Sequence, residues 1–446
     1  TSIMAAHATG KPIVAVVPAA LRENYLKELE ASGFDGEAEV ISYHEALKRS
    51  KDPEFVDKIK DSVVVYDEAH RMGREESQMS QLPKKFKGDK NLLLTGTLVR
   101  NHPRELVPLM QAVTTHDAFS SAAKFEENFV DKKEVSPGLI GKIKGAKPGE
   151  KTKLKNLEEL QSILKDVVDH HAQEAEHMPS VSEEKIYVPM SKRQQAAYDN
   201  LLRRQPDLSY KLRHGIPPGK DFSKYRAFLT GLRQVSNTPK EFASKAETRD
   251  ASKIVWAADE VAHHAKLHSN YRGYSYSNFL KSGIEPLQKE LESRGIRTAV
   301  FDGKLNDAQR KELVQKYNNG EIQHLLLSSA GGEGLDLKGT RLVQLLEPHW
   351  NHAKMHQVRA RGIRYKSHHH LPEDERHVHV QRYFSHKAQS PFDKFLGSKR
   401  ERSADDAIHD IAEEKEHLNR QLLSAISTNQ HTKIAAAYAA YINGRS

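Results

Sequence analysis

Residues 63–70 read VVVYDEAH, a short β-branched run followed by two adjacent carboxylates, an alanine and a histidine. The run Val63–Tyr66 is apolar at every position, which predicts a strand that is buried on both faces of a parallel sheet. Asp67 and Glu68 then fall at the carboxyl end of this strand, the edge where open α/β sheets hold their ligands. One carboxylate can hold a hydrated magnesium ion while its neighbour orients and deprotonates an attacking water. The stretch therefore favours phosphoryl transfer from a magnesium-bound nucleotide, with a plain strand and acidic turn as the alternative.

Length, composition and charge limit the classes of protein to which this motif can belong. A length of 446 residues predicts two or three domains, and 37% hydrophobic residues are enough for their cores. The absence of cysteine excludes a disulfide framework and a thiolate metal site. No apolar run reaches membrane-spanning length, so we expect no membrane partner and an intracellular location (cytoplasm or nucleoid, or a host cell if viral). The 69 Lys and Arg against 60 Asp and Glu give a charge of +9, which suits a polyanionic partner without requiring one.

Strand patterns alternate with helix patterns in two separate parts of the chain. This alternation predicts parallel, doubly wound sheets. The strands expected in the first part are 13–17, 40–42, 63–66 and 92–94, and those in the second are 271–275, 298–301, 324–328 and 341–346.

The segment between the two α/β parts has a different pattern. Residues 137–155 are rich in Gly, Pro and Lys, which predicts an exposed, mobile basic loop. Amphipathic helices are expected over 157–171 and, capped by Ser191, over 191–202, with a short strand at 186–188. A long charged helix is expected over 403–426.

Two arginines in the second part are candidates for phosphate chemistry. Gln357, Arg361 and Arg364 are spaced i, i+4 and i+7, which would place them on one face of a predicted helix. Arginines so placed can reach a triphosphate and stabilise the charge that develops as its terminal phosphoryl group leaves. A solvated basic face is the alternative.

Two further patterns are weaker. The turn Gly331–Gly334 permits close approach of the backbone to a phosphate or sugar, although most Gly-rich turns are only turns. His349, His352 and His356 share a helical face near His368–His370, a spacing that could bind metal. Since no carboxylate or cysteine completes an obvious ligand set, surface or packing histidines are favoured.

The order of these motifs resembles the Swi/Snf-like branch of the superfamily-two DEAH-box helicases, of a phage, viral or microbial type. The resemblance covers nearly the whole chain and includes the segments VAVVPAALRENYLKEL (14–29), ISYHEAL (41–47), YDEAH (66–70), LLLTGTL (92–98), LRQVSNTPKEF (232–242), YSYSNFLKSGI (274–284), FDGK (301–304), SSAGGEGLDL (328–337), QVRARGIRYKSHHH (357–370) and the closing helix 403–423.

The resemblance implies two RecA-like parallel-sheet lobes that clamp ATP and Mg²⁺, a helical insertion or connector, and a C-terminal helical extension. The domains would be 1–115, 116–250, 251–395 and 396–446. The activity implied is ATP hydrolysis coupled to translocation along double-stranded DNA. The carboxylates of one lobe and the guanidinium groups of the other would meet across a shared nucleotide cleft.

Residue roles follow from the same resemblance, position by position. Asp67 would hold Mg²⁺ through water, Glu68 would activate the attacking water, and Gln357, Arg361 and Arg364 would complete the catalytic set. The remaining roles would be nucleotide binding by Gly334 and Asp336, coupling by His70, Thr95 and Thr97, and DNA binding by Pro18, Ala19, Ser328 and Ser329.

The sequence departs from the family pattern at two places. Ala360 stands where a glycine is expected before the first arginine, which is a mild change. The phosphate-cradling sequence G-x-x-x-x-G-K-[ST] is absent, because Gly10-Lys11 is followed by Pro12, and the chain begins where that loop's helix should begin, so that Thr1 would be its threonine. We therefore expect weak ATP hydrolysis from residues 1–446 and restored hydrolysis from a version extended upstream. The alternatives are a non-catalytic nucleic-acid-binding remnant and an NTPase motor that acts on RNA or transcripts.

Overall fold

The computed structural model describes residues 2–73, 77–169, 177–219, 222–243, 246–329, 335–389 and 400–424. Its contacts divide the chain into two compact units. The first unit contains residues 1–132, 152–173 and 414–446, and the second contains residues 133–151 and 174–413. The four domain boundaries expected from the sequence stay predictions.

The first unit is built on a four-stranded sheet in the order β2-β1-β3-β4. All neighbouring strands are parallel, with Val14 opposite Val64 and Tyr66 opposite Leu93. The strands are β1 (Ile13–Val17), β2 (Ala38–Ser42), β3 (Val63–Asp67) and β4 (Lys90–Leu94). The predicted α/β class with parallel strands is confirmed for this unit.

Side chains of this sheet alternate between two cores, as the period of two in a strand requires. Val64 and Tyr66 of β3 pack with Phe86 on one face, and Val63 and Val65 pack in the cluster on the other face. Residues 63–66 of β3 are fully buried, as their unbroken apolar run predicts. Burial of each such side chain contributes about 1.5–3 kcal/mol. The carboxylates that follow therefore stand on a rigid strand end.

Helices flank this sheet and form a smaller cluster beside it. They are α1 (Ser2–His7), α2 (Arg22–Ala31), α3 (Tyr43–Arg49), α4 (Pro53–Lys58), α5 (Leu82–Lys85), α6 (Leu106–Val113), α7 (Ala122–Phe129) and α9 (Leu157–Val167). Between α7 and α9, a two-stranded sheet is formed by β5 (Val130–Val135) and β6 (Gly149–Leu154), which flank the short helix α8 (Gly138–Ile143).

The second unit is built on a six-stranded sheet in the order β7-β12-β11-β8-β10-β9. Every neighbouring pair is again parallel. The strands are β7 (Ser180–Pro189), β8 (Gly273–Ser277), β9 (Thr298–Phe301), β10 (His324–Ser328), β11 (Leu342–Leu345) and β12 (His377–His386).

Helices cover this sheet as well. The helices of this part of the chain are α10 (Lys192–Arg204), α11 (Pro206–His214), α12 (Phe222–Asn237), α13 (Ser252–Leu267), α14 (Glu285–Ser293), α15 (Asp307–Asn318), α16 (His352–Arg359) and α17 (Ala404–Ser424), with a π-helical turn at Leu280–Ile284. Residues 404–413 of α17 belong to the second unit and residues 414–424 to the first. Ser191 caps α10 through a capping box with Gln194, as predicted. No helix within the described ranges is long and apolar enough to cross a membrane.

Buried polar groups tie the elements of the second unit together. Lys253 of α13 donates to Asp405 of α17 over 2.8 Å, and both side chains are fully buried. Across the sheet, Tyr271 and Ser275 hydrogen-bond the two ring nitrogens of buried His324, at 2.9 and 2.7 Å. These pairs satisfy polar groups that would be costly to bury alone.

The prediction that residues 137–155 form a mobile loop is wrong. The segment contains α8 and β6, and two of its glycines mark close packing. A Cβ on Gly141 would lie 2.5 Å from the Tyr210 ring, and one on Gly149 would lie 2.3 Å from the Pro217 carbonyl oxygen. These glycines allow the segment to dock closely.

Candidate functional site

Asp67 and Glu68 lie at the carboxyl edge of the first sheet, as the sequence predicts. Asp67 is the last residue of β3, and its backbone carbonyl accepts a hydrogen bond from Tyr43 Oη at 2.7 Å. The Glu68 backbone N–H donates to Asp67 Oδ1 over 3.0 Å. Glu68 has a φ of +54°, a left-handed backbone that costs a residue with a side chain about 1–3 kcal/mol. Such strain is typical of residues held in place at functional sites.

The Glu68 side chain turns back toward His70. Glu68 Oε2 lies 3.1 Å from His70 Nδ1, and the same nitrogen lies 3.0 Å from Thr95 Oγ1. Thr95 Oγ1 donates to the Thr97 carbonyl over 2.9 Å and accepts from the Thr97 N–H at 3.2 Å. The three residues predicted to couple the site to its partner, His70, Thr95 and Thr97, therefore form one hydrogen-bonded group with Glu68.

Arg100 contacts His70 on the ring nitrogen that faces away from Glu68 and Thr95. It is not among the site residues predicted from the sequence. Its guanidinium contacts His70 Nε2. Glu105 accepts hydrogen bonds from the backbone N–H groups of Arg100 and Asn101, at 2.8 and 3.0 Å, and so fixes the loop that carries the arginine. The LLLTGTL segment ends two residues before Arg100, so nothing in the motif itself marks this position.

The two carboxylates differ in their electrostatic surroundings. The hydrogen bond from His70 holds the pKa of Glu68 below its ordinary value, so Glu68 is ionised at neutral pH. Burial, together with the adjacent Glu68 charge, raises the pKa of Asp67. Within the described ranges Asp67 has no ion pair with Lys or Arg, so its negative charge is not balanced. A hydrated divalent cation at Asp67 would supply that balance, and this arrangement fits Mg²⁺ held through water.

Pro18 and Ala19 follow β1 at the same edge of the first sheet. Pro18 is buried, whereas Ala19 is exposed at the start of a single helical turn. The structure therefore brings these predicted DNA-binding residues to the edge that carries Asp67, without a contact that assigns them a ligand.

A cavity of about 430 Å³ opens at the carboxyl edge of the second sheet, beyond the ends of β8, β9 and β10. The predicted DNA-binding residues Ser328 and Ser329 both line it. The Ser328 and Ser282 hydroxyls are buried and make no hydrogen bond in the described structure. Its charged lining consists of two lysines, Lys281 and Lys304, and two carboxylates, Glu241 and Asp302. Sequence analysis did not single out the lysines, although both lie inside recognised motifs. Buried hydroxyls without partners beside exposed ammonium groups fit a phosphate ligand.

The prediction that one helix carries Gln357, Arg361 and Arg364 on a single face is wrong, because the helix includes Gln357 but neither arginine. Helix α16 ends at Arg359, and the chain then turns back toward the sheet, with the Leu337 N–H donating to the Arg361 carbonyl over 3.0 Å. Gly362 marks the tight turn, because a Cβ there would lie 2.8 Å from Thr340 Oγ1. The side chain of Arg361 is 2% exposed, whereas Arg364 is half-buried. The two arginines therefore occupy different environments.

The predicted nucleotide-binding pair is only partly described. Asp336 is exposed, and its carbonyl accepts from Asn318 Nδ2 over 3.1 Å. Gly334 lies outside the described residues, as do Thr1 and the rest of the glycine turn.

A carboxylate does approach one of the predicted histidines, contrary to the expectation that none completes a set. Glu413 Oε1 of α17 lies 2.8 Å from His352 Nε2 and 3.7 Å from His409 Nδ1. However, Lys185 Nζ and an Arg382 guanidinium nitrogen lie 2.8 and 3.2 Å from the two ring nitrogens of His409. Two cations at the third ligand oppose metal binding, so the cluster is an ion-pair and packing group.

Two known protein families match the chain. The SNF2-related domain family matches residues 7–241, which is more than half of the chain, and the helicase conserved C-terminal domain family matches residues 256–366. The chain belongs to the SNF2-related domain family. As a member of this family, it is a superfamily-two, Swi/Snf-like protein with helicase and ATPase-type domains, as its motif order predicts.

Several viral proteins are similar to this SNF2-related chain. An Acanthamoeba polyphaga mimivirus protein, provisionally named an ATP-dependent RNA helicase, is 29% identical over 394 residues, covering 86% of this chain and 82% of that protein. An African swine fever virus termination factor NPH-I homolog is 36% identical over 161 residues, which are 34% of this chain and 22% of that protein. The chain thus corresponds to less than a quarter of the second relative. Among solved structures, the Sulfolobus solfataricus SWI2/SNF2 ATPase core in complex with dsDNA aligns over 96% of this chain and 89% of that chain, at 16% identity and a TM-score of 0.38.

Proposed function

We propose that this protein is an ATP-dependent motor of the Swi/Snf-like type that hydrolyses ATP to move along double-stranded DNA inside the cell. The observation that carries the proposal is the group formed by Glu68, His70 and Thr95 at the end of a buried strand. It joins an ionised, oriented carboxylate to an imidazole and a hydroxyl of the neighbouring strand end. This geometry suits activation of a water molecule and transmission of the state of the site to the next loop.

The roles proposed for the two carboxylates follow from their different environments. Asp67 would hold Mg²⁺ through water, because within the described residues it forms no ion pair with Lys or Arg, and the ion would neutralise phosphate charge when it is bound. Glu68 would accept the proton of the attacking water, because the hydrogen bond from His70 keeps it ionised. Gln357, Arg361, Arg364, Asp336 and Gly334 would complete the nucleotide site by family resemblance. The chain contains no G-x-x-x-x-G-K-[ST] sequence, so no residue is assigned to a phosphate cradle.

The cavity of the second unit is the proposed contact with the nucleic-acid backbone. Ser328 and Ser282 would donate to a phosphate oxygen, while Lys281 and Lys304 would supply positive charge. These groups offer no bidentate recognition of a base edge, so binding should be largely independent of sequence. Affinity should fall steeply with salt, because each phosphate contact releases condensed counterions.

A motor on RNA is the second candidate. It is favoured by the names of two relatives, an RNA helicase of mimivirus and a termination factor homolog of African swine fever virus. A non-catalytic nucleic-acid-binding protein is a third possibility, which the intact Glu68–His70–Thr95 group disfavours.

The deciding test compares ATP hydrolysis without nucleic acid and with duplex DNA, single-stranded DNA or RNA of equal length. It is run on the 446-residue chain and on a version extended upstream. Stimulation chiefly by duplex DNA, abolished by Glu68→Gln, supports the proposal. Stimulation chiefly by RNA supports the second candidate. Nucleic-acid binding without hydrolysis in both versions would overturn the motor assignment.

A further inference from the structure

His70 is held between groups that constrain where its ring proton can sit. The Arg100 guanidinium faces Nε2, and guanidinium groups only donate hydrogen bonds. In this contact Nε2 must therefore be the nitrogen that carries the lone pair. A neutral imidazole then carries its single proton on Nδ1.

The groups around Nδ1 require the same tautomer independently. Glu68 Oε2, at 3.1 Å, can only accept when it is ionised. Thr95 Oγ1, at 3.0 Å, directs its own proton to the Thr97 carbonyl, so toward His70 it can only accept as well. Both neighbours of Nδ1 are therefore acceptors, and the one group at Nε2 is a donor. The surroundings of the ring fix one proton position from both sides.

We propose that Arg100 is a positioning residue, which holds His70 in its Nδ1-protonated tautomer and thereby orients the Glu68 carboxylate. The inference rests on the proposed function, because it names the group that sets the geometry of the proposed general base. In the opposite tautomer, the Nδ1 lone pair would face the Glu68 carboxylate, and the two would repel. The Glu68 carboxylate would then rotate away from His70 Nδ1 and lose its present orientation.

Burial and charge support the same arrangement. Burial lowers the pKa of His70, and the nearby Arg100 charge lowers it further, so the ring is neutral at pH 7. The loop that carries Arg100 is itself fixed by the two backbone hydrogen bonds to Glu105. Arg100 therefore approaches the ring from a defined position on the loop after β4.

The primary test reads the tautomer directly by long-range ¹H–¹⁵N correlation in protein labelled on its histidines. The His70 signals are assigned by their loss in His70→Gln. In the wild type, the unprotonated nitrogen should be Nε2. Arg100→Met keeps a long side chain but removes the hydrogen-bond donor, so it should produce a mixture of tautomers. Arg100→Lys keeps a donor and should show the wild-type pattern.

An Nε2-protonated ring in the wild type would overturn the inference, as would an unchanged tautomer in Arg100→Met. A second measurement uses whichever version of the protein hydrolyses ATP. There Arg100→Met should lower kcat about 10-fold, part of the 10²–10⁴-fold that a general base supplies, with KM unchanged. An equal loss in Arg100→Lys would contradict a positioning role. The tautomer needs neither nucleotide nor nucleic acid, so an Arg100-dependent tautomer together with no ATP hydrolysis in either version would refute the proposed function alone.

Discussion

Removal of the two lysines at the cavity of the second unit is the sharpest test of the proposed nucleic-acid contact. Lys281 and Lys304 line the cavity from the segments that follow β8 and β9, two parallel strands separated by β10, and both lysines are exposed. Neither forms an ion pair within the described residues, so their charge is available to a phosphate. We expect Lys281→Ala with Lys304→Ala to weaken duplex binding without unfolding the unit.

The magnitude follows from counterion release. Each phosphate neutralised by a lysine contributes about 0.9 to the slope of log affinity against log salt on B-form DNA. Loss of two such contacts should reduce the slope by about 1.8, and each single substitution should reduce it by about half of that. Between about 50 and 200 mM salt, the wild type should therefore lose about tenfold more affinity than the double variant.

The assay is fluorescence anisotropy of a labelled duplex at four or more salt concentrations. The matched control is Lys266→Ala, which removes an exposed lysine on α13 that does not line the cavity. Circular dichroism confirms that the variants are folded. A slope equal to that of the wild type, or an equal change in Lys266→Ala, would show that the cavity does not contact the phosphates.

Three further outcomes are expected. Glu68→Gln should lower the rate of ATP hydrolysis at least about 100-fold, measured by steady-state kinetics, and should leave the duplex affinity measured by anisotropy unchanged. Retained hydrolysis would exclude Glu68 as the base. Lys253→Met should destabilise the second unit by about 3–5 kcal/mol because the buried Asp405 carboxylate loses its cation. Urea unfolding followed by tryptophan fluorescence measures this, since both tryptophans lie in that unit, and Lys253→Met with Asp405→Asn should recover part of the loss. Burial lowers the pKa of His324 from an ordinary 6.5 to about 3 in the folded protein. Between these two pH values only the unfolded chain takes up the proton, so the contribution of His324 to stability should be present above about pH 6.5 and should decline toward pH 3. His324→Asn should flatten this decline in the same assay.

Much of the sheet architecture could be predicted because burial leaves a direct signal in sequence. The apolar run of β3 indicates a strand covered on both faces, and the polar residues after it mark the sheet edge. Strand β12 carried no such signal. Its sequence HVHVQRYFSH places Gln381 and Ser385 at fully buried positions, where hydrogen bonds to Glu184 and to the Ser236 carbonyl satisfy them. Partners distant in sequence make these polar residues compatible with a core, and local pattern cannot show that.

The predicted site residues divide in a similar way. Asp67, Glu68, His70 and Thr95 lie together, because adjacent parallel strands end at the same edge. Arg100 was missed because its contact with His70 depends on how the loop after β4 is held by Glu105. A spacing rule describes positions along an element, whereas this contact depends on a turn between elements.

The two arginines after α16 belong to one motif but lie in different environments. Arg361 is 2% exposed, and its charge partly opposes the rise in the pKa of Tyr274 that burial causes, which shows that it lies against the core of its own unit. Arg364 is half-buried, and its Nε donates to the nearby Ala360 carbonyl over 3.0 Å. We therefore expect Arg361→Lys to lower the tryptophan-monitored unfolding midpoint, because its planar, buried fork is replaced by a point charge that is more strongly hydrated. Arg364→Lys should leave that midpoint unchanged and lower kcat by at least about 100-fold, since an arginine finger supplies 10³–10⁵-fold. If Arg364→Lys instead destabilised the unit and Arg361→Lys did not, burial would be a poor guide to which arginine supports the core of the unit.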